Sequence, residues 1–267
     1  MVSRRTTARV PWFLAIPGAV ALAFLVIPLV ALCLQAPWPD FVGIVTSPQA
    51  GAALRLSLVT SVSATLVAAL LGIPLAWLLA REVLPATGLV RALVLVPLLL
   101  PPVVSGVALL TALGRRGLVG QYLYDGLGIQ LPFTTAGVVL AEAFVAMPFL
   151  VIAVEGGFRS LNRRYEEVAA TLGARAWTTF RRITVPMVAP SLVAGLVLCW
   201  ARALGEFGAT ITFAGNFPGV TQTMPLAVYA GLETDRSVAI GLSILLLAVS
   251  ITVLVALRGR YIGSRSA

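Results

Sequence analysis

An all-α integral membrane protein with six membrane-crossing helices is the fold class that this chain predicts, on three observations. The composition is 59% hydrophobic against 11% charged, with a mean hydropathy of +1.00, which does not fit an ordinary soluble domain. Six apolar runs of about 20 residues recur, the length that crosses a hydrocarbon core of roughly 30 Å. The arginines flank those runs and favour one side. The net charge of +9 is therefore spread over loop ends. It does not make the single basic patch of a nucleic-acid-binding protein, so a nucleic-acid partner is excluded.

The first span is expected over residues 11–34, after Arg4, Arg5 and Arg9. Its apolar core is too long for a signal-peptide h-region, and no small-x-small cleavage site follows it. Leu32 is too large for the residue before a lipoprotein cysteine at Cys33. Residues 35–51 hold Pro37, Pro39 and Asp40 and no Arg, and read as an outside loop. A second span is expected over 54–80, with Arg55 at its outer end. The third, 92–113, contains Pro97, Pro101, Pro102 and Gly106. Such interruptions are tolerated where neighbours or a cavity satisfy the freed backbone groups. Two readings stay open there, a kinked helix and a helix bent to line a pathway. Residues 115–132 read as an outside loop and 135–155 as the fourth span.

Next comes the longest polar island of the chain, Asn162 to Pro186, NRRYEEVAATLGARAWTTFRRITVP. Asn162 suits an N-cap, Gly173 a helix stop, and Pro186 a stop before the next span. The first helix has an apolar side of Tyr165, Val168 and Leu172. Its opposite side of Glu166, Ala169, Ala170 and Gly173 is mostly small, and a partner backbone could approach closely there. A second short helix is expected over 176–185, with Trp177 and Phe180 on one side. The fifth span is expected over 190–209, a polar connection over 210–236 and the sixth span over 238–257, followed by a short tail.

The arginine count gives the orientation. With the N-terminus inside, the inner side holds Arg4, Arg5, Arg9, Arg81, Arg91, Arg159, Arg163, Arg164, Arg175, Arg181, Arg182, Arg258, Arg260 and Arg265. The outer side holds only Arg55, Arg115, Arg116 and Arg236. Both termini and the polar island are then cytosolic.

Absences restrict the chemistry. All 19 basic residues are Arg, and a P-loop needs a Lys to reach the β/γ-phosphates, so nucleotide hydrolysis would belong to another polypeptide. With no His, His-based acid–base catalysis and His metal ligation are excluded. Cys33 and Cys199 both lie in apolar runs, far apart and without ligand-like spacing.

Arg202 and Glu206 fall in the fifth span, within CWARALGEFGAT. A mid-membrane charge costs about 2.5–3.5 kcal/mol on insertion scales and usually faces a bundle interior or a cavity. The two are four apart and can pair. A self-neutralising structural pair and a pathway or gate element for an anion both remain open, and Glu142 is a further candidate partner for Arg202. Ser105, Thr210 and Thr212 are candidate pathway residues beside them. Thr210, Thr212, Asn216, Thr221, Gln222 and Thr223 would supply neutral hydrogen-bond donors near the outer mouth, suited to a dianion that must be released again.

Two stretches carry a resemblance. The island resembles the EAA loop of ABC-importer permeases, in which Glu-Ala-Ala is followed by three residues, Gly, nine residues, Ile, one residue and Leu-Pro. Glu167, Ala169, Gly173, Ile183 and Pro186 match in register, with Val168 and Val185 as conservative departures. The run Arg202 to Tyr229, with GEFGAT, AGN and TQTMPL, resembles molybdate/tungstate permease subunits, with sulfate/thiosulfate permeases as close relatives. The wider resemblance covers residues 54–257, and the first span is compatible with it. It implies a type I importer permease in a bacterial or archaeal cytoplasmic membrane. The polar island, about 160–187, would be its coupling loop. Glu166, Glu167, Ala169, Ala170, Gly173, Ile183 and Pro186 would couple to an ATPase. The implied partners are a second copy of the chain, two copies of a cytosolic ABC ATPase and an extracytoplasmic oxyanion-binding protein. ATP and Mg would be used by the ATPase, with no cofactor, metal or catalytic residue in this chain. The division that follows is an N-terminal segment with the first span and outer loop (1–53), a permease core (54–257) and a tail (258–267). A sulfate/thiosulfate permease is the nearest alternative. A passive channel or membrane scaffold would explain the spans but not the matched loop. A membrane-embedded enzyme would need His or paired carboxylates in the spans.

Overall fold

A computed structural model describes residues 12–261, with side chains through residue 256. Arg4, Arg5, Arg9 and Arg265 lie outside the described residues, as do the side chains of Arg258 and Arg260. The described chain is helical, and no strand occurs among these residues. The long helices are α1 (Trp12–Leu34), α3 (Pro48–Arg81), α7 (Thr135–Ser160), α10 (Val185–Leu204) and α13 (Arg236–Tyr261). Between them lie α2 (Phe41–Val45), α4 (Thr87–Leu99), α5 (Pro102–Leu113), α6 (Gly120–Leu127), α8 (Arg164–Thr171), α9 (Ala176–Thr179), a π-turn (Phe180–Thr184), α11 (Gly208–Ala214) and α12 (Met224–Thr234).

The core is α7, flanked by α3 and α10. Helices in an apolar solvent associate through close packing, which small residues permit. The buried stripe of α3 is Ala53, Ser57, Thr60, Ala64, Ala68, Gly72 and Ala76. A Cβ at Gly72 would sit 3.1 Å from Val151, and one at Gly195 of α10 would sit 3.1 Å from Leu150, both on α7. Ser47 caps α3 by accepting from the Ala50 N–H at 3.2 Å, with Pro48 in the first turn. α3 therefore begins six residues before the expected span. With 34 residues it is about 51 Å long at 1.5 Å per residue, and it projects beyond the apolar core at its ends.

The third span is not one continuous helix but two helices, bent sharply at a break. α4 and α5 meet at 115° across Leu100 and Pro101. Two successive prolines remove two backbone donors, and each restricts the residue before it. Leu100 and Pro101 both have extended ψ, 137° and 136°. The pair still crosses the bundle. Val90 and Val94 of α4 pack against the core cluster that includes Val154 and Phe158 near one end of α7. Leu109 and Leu113 of α5 pack with Ala141 and Val145 near the other. Five helices among the described residues are long and apolar enough to cross a membrane, and the broken pair makes six if it is taken as one span.

Pro186 does not stop a helix. Helical backbone runs from Ala176 to Leu204, and Pro186 sits in the first turn of α10. The widened π-turn immediately before it accommodates a residue that has no N–H to donate. The fifth span ends at Leu204 rather than 209, so Glu206 lies in a break between α10 and α11. The expected polar connection 210–236 is largely helical, as α11 and α12, and much of it is buried. The expected outside loops likewise contain α2 and α6.

Candidate functional site: a docking face at one end and a charged break within the bundle

The polar island, Asn162 to Pro186, lies at the end of the bundle that carries Arg81, Arg91 and Arg159. Asn162 Oδ1 accepts from the Arg164 N–H at 3.0 Å, which starts α8. Gly173 stops it with φ +78°. The Gly173 N–H reaches the Ala170 carbonyl and the Ala174 N–H reaches the Ala169 carbonyl, both at 3.0 Å, completing a Schellman ending.

The two sides of α8 are placed differently from the expectation. Tyr165, Val168 and Leu172 point outward, with Leu172 83% exposed. A shallow groove of about 690 Å³ opens beside them, lined by Val168, Ala169, Leu172, Thr178 and Ile183. On the small side, Gly173 and Ala170 are exposed, Ala169 is buried and Glu166 turns into the protein. Exposed apolar residues beside Arg164 and Arg182 thus form an uncovered apolar face. The small side is open as well, at Ala170 and Gly173. Trp177 and Phe180 stack at 5.9 Å, and Trp177 is 69% exposed nearby.

Glu166 is tied to two other elements. Arg81, the last residue of α3, pairs with its carboxylate, and the Thr184 hydroxyl donates to its Oε1 at 2.6 Å. Arg81 also lies over the Trp77 ring, 5.7 Å from the centroid. Burial raises the Glu166 carboxyl, but the Thr184 and Arg81 hydrogen bonds and the nearby guanidinium charges together bring it below the ordinary value of 4.5. Glu167 is exposed and has no ion pair among the described residues. Ile183 is half-buried in the groove wall and Pro186 is exposed.

The charged break lies deeper. Arg202, in the last turn of α10, pairs with Glu206 at 2.6 Å. The other Glu206 oxygen accepts from the Ala209 N–H at 2.8 Å in the first turn of α11. One buried carboxylate, 1% exposed, thus compensates a charge and satisfies a freed backbone donor. Glu142 does not partner Arg202. It accepts from Thr60 of α3 at 2.9 Å, and its second oxygen is buried without a partner. The Ser105 and Thr210 hydroxyls are also buried and unpartnered, and the Thr212 hydroxyl donates to its own helix at Gly208. Ser105 and Thr210 are therefore closed from solvent, whereas Arg202 is partly open, its side chain 27% exposed. Close contact between α5 and α11 encloses them. A Cβ at Gly106 would lie 2.6 Å from Thr212 Cβ, and one at Gly208 would lie 2.5 Å from Pro102 Cβ.

The donors expected near the mouth divide in the same way. Thr221 and Thr223 are buried, and the Thr221 hydroxyl accepts from the Phe217 N–H. Asn216 and Gln222 are half-buried. Ser57 accepts from the Met224 N–H at 2.7 Å and ties α12 to α3. Arg81, Thr184, Ser57 and Thr60 were not singled out from the sequence. Each acts through a partner distant along the chain. Only Arg81 carried a visible sign, a charge closing a long apolar run.

The family model described as "Binding-protein-dependent transport system inner membrane component" matches residues 72–265. The "Molybdenum transport system permease protein ModB" of Mycobacterium tuberculosis is 46% identical over 250 residues, 94% of each chain. The "Sulfate transport system permease protein CysT" of Escherichia coli is 35% identical over 234 residues, 86% of this chain and 84% of that one. In structure, the chain is similar to one in the bacterial alginate ABC transporter in complex with alginate pentasaccharide-bound periplasmic protein. The TM-score is 0.75 at 20% identity, over 95% of this chain and 94% of that one, which bears on the fold alone. The chain is a multi-pass membrane protein and belongs to the family of binding-protein-dependent transport system inner membrane components.

Proposed function

We propose that this chain is the membrane-spanning permease subunit of an ATP-driven importer for molybdate or tungstate. The supporting observation is the 46% identity over 94% of both chains to a molybdenum permease, against 35% to a sulfate permease. A tetrahedral oxyanion of the sulfate type is the second reading, because that relative is also matched over most of its length. Neutral donors and one partly open Arg202 do not by themselves separate two dianions of one shape, so discrimination belongs mainly to a binding protein.

In this reading the subunit works as a homodimer with two cytosolic ABC ATPases and an extracytoplasmic oxyanion-binding protein. The termini and α8 face the cytosol in this reading, which the arginine asymmetry supports. The permease core spans residues 54–257, after an N-terminal segment with the first span (1–53) and before a tail (258–267). The outward side of α8, with Gly173 and Ile183 beside it, seats in the ATPase. The break at Arg202 and Glu206, with Ser105, Thr210 and Thr212, belongs to the gate region. ATP and Mg are used by the ATPase; this chain supplies no catalytic group and needs no cofactor.

The test is uptake into vesicles carrying the chain, its ATPase and its binding protein, with radiolabelled molybdate and sulfate in competition. ATP-dependent molybdate uptake that excess sulfate blocks poorly is the expected result. Sulfate uptake that molybdate fails to inhibit would move the assignment to the second reading. Uptake of an amino acid or sugar with neither anion competing would reject both.

A further inference from the structure

Mechanical load applied to the docking helix must cross into the bundle somewhere, and the structure offers few crossings. α8 is eight residues long and buries only Ala169. Its outward side is exposed, and Glu167 has no ion pair among the described residues. Among the described residues, the side-chain polar contacts that leave α8 for the bundle are those of Glu166, to Arg81 at the end of α3 and to Thr184, the last residue of the π-turn that leads into α10. These two helices are the ones that flank α7. The Glu166 carboxylate does not line that groove; with Arg81 and Thr184 it lines a second pocket of about 500 Å³, and Arg81 also lies over the Trp77 ring.

We propose that Glu166 is a positioning residue that transmits partner movement from α8 to the inner ends of α3 and α10, and that it does not contact the ATPase. The inference rests on the importer reading. It changes the role implied for Glu166, from a partner contact to an internal latch. A charge-assisted bond to a guanidinium is stiff and directional, whereas an isosteric amide retains size and loses the charge. A carboxylate that stays ionised near neutral pH suits a permanent joint rather than a titrating switch.

The experiment uses the full chain with its ATPase in detergent or nanodiscs. It compares wild type, Glu166→Gln, Arg81→Gln and the charge-swapped double variant Arg81→Glu/Glu166→Arg. Hydrogen–deuterium exchange reads the ATP-driven change in protection at residues 77–81 and 185–188, which requires no cargo. Both single variants are expected to keep the ATPase through purification and to lose this ATP-driven change, and the double variant is expected to regain it. In transport vesicles, uptake per ATP hydrolysed should fall about tenfold in the single variants, within the usual span of coupling energies. An unaltered ATP-driven change in Glu166→Gln would overturn the latch. Loss of the bound ATPase in that variant would also overturn it, by making Glu166 a partner contact. Failure of wild-type vesicles to import any oxyanion counts against the importer reading alone, since the exchange measurement still decides the latch.

Discussion

Gly173 and Glu166 lie on the same short helix and are held in place by different forces. Gly173 occupies the left-handed region at φ +78°, with open space where a Cβ would go. Its requirement is conformational rather than steric. Gly173→Val should therefore fray the end of α8 by roughly 1 kcal/mol or more, while Gly173→Asn, which tolerates this conformation, should keep it. Amide exchange at residues 169–174 reads the difference; equal protection in both variants would contradict the conformational account. For Glu166 the force is electrostatic, and its pH dependence has a definite sign. Its folded-state value lies below the ordinary 4.5, so its stabilisation is complete above 4.5 and is lost as pH falls through the lowered value. Protection of α8 should be level from about pH 8 to 5 and weaken only below the ordinary carboxylate range. The Glu166→Gln variant should lack that acid step, and an identical step in the variant would assign it to another group.

Among the elements, the α5–α11 contact is the most demanding. Gly106 and Gly208 allow the two helices to approach until an added methyl would overlap Thr212 or Pro102. Overpacking of this kind usually costs about 1–3 kcal/mol. Gly106→Ala should lower the thermal midpoint of the detergent-solubilised chain. Gly51→Ala on α3, where nothing lies within 4 Å, should leave the midpoint unchanged or raise it. Similar losses in both would remove the contact argument. The same approach explains why Ser105 and Thr210 are enclosed. They sit on the two helices whose glycines draw them together, so reaching them from solvent requires α5 and α11 to separate.

The whole molecule is a crossing pattern with most of the described arginines sorted to its two ends and Arg202 held in the break between α10 and α11. Arg81, Arg91 and Arg159 gather where α3 and α7 finish, while Arg55, Arg115 and Arg236 lie toward the opposite end. Labelling tests the orientation directly. A cysteine at Thr171, exposed on α8, should react only with reagents that reach the cytosol, and one at Gln130 with impermeant reagents from outside. Cys33 is exposed and must be replaced first, and Cys199 is buried. The reverse labelling pattern would invert the molecule and place α8 away from any ATPase.

The sequence by itself determined the class of the protein, the positions of its five long apolar helices and the place of α8 along the chain. Hydrophobic length and charge flanking are one-dimensional quantities, set by bilayer thickness and by the cost of moving Arg across it. Gly173 was legible for a similar reason, because a helix ending of this type is a local backbone event. The pairing of Arg202 with Glu206 was also local, four residues apart, although the helix was expected to continue through it. Only the tertiary structure decided that the third span breaks at Leu100–Pro101, that α11 and α12 fill the connection after Glu206, and that Glu142 bonds Thr60 rather than Arg202. It also turned Glu166 into the protein. The sequence groups that residue with the small side as a contact for a partner, but its carboxylate pairs with a part-buried cation. That cation is Arg81, 85 residues away along the chain, and chain separation of this size leaves no periodic trace to read.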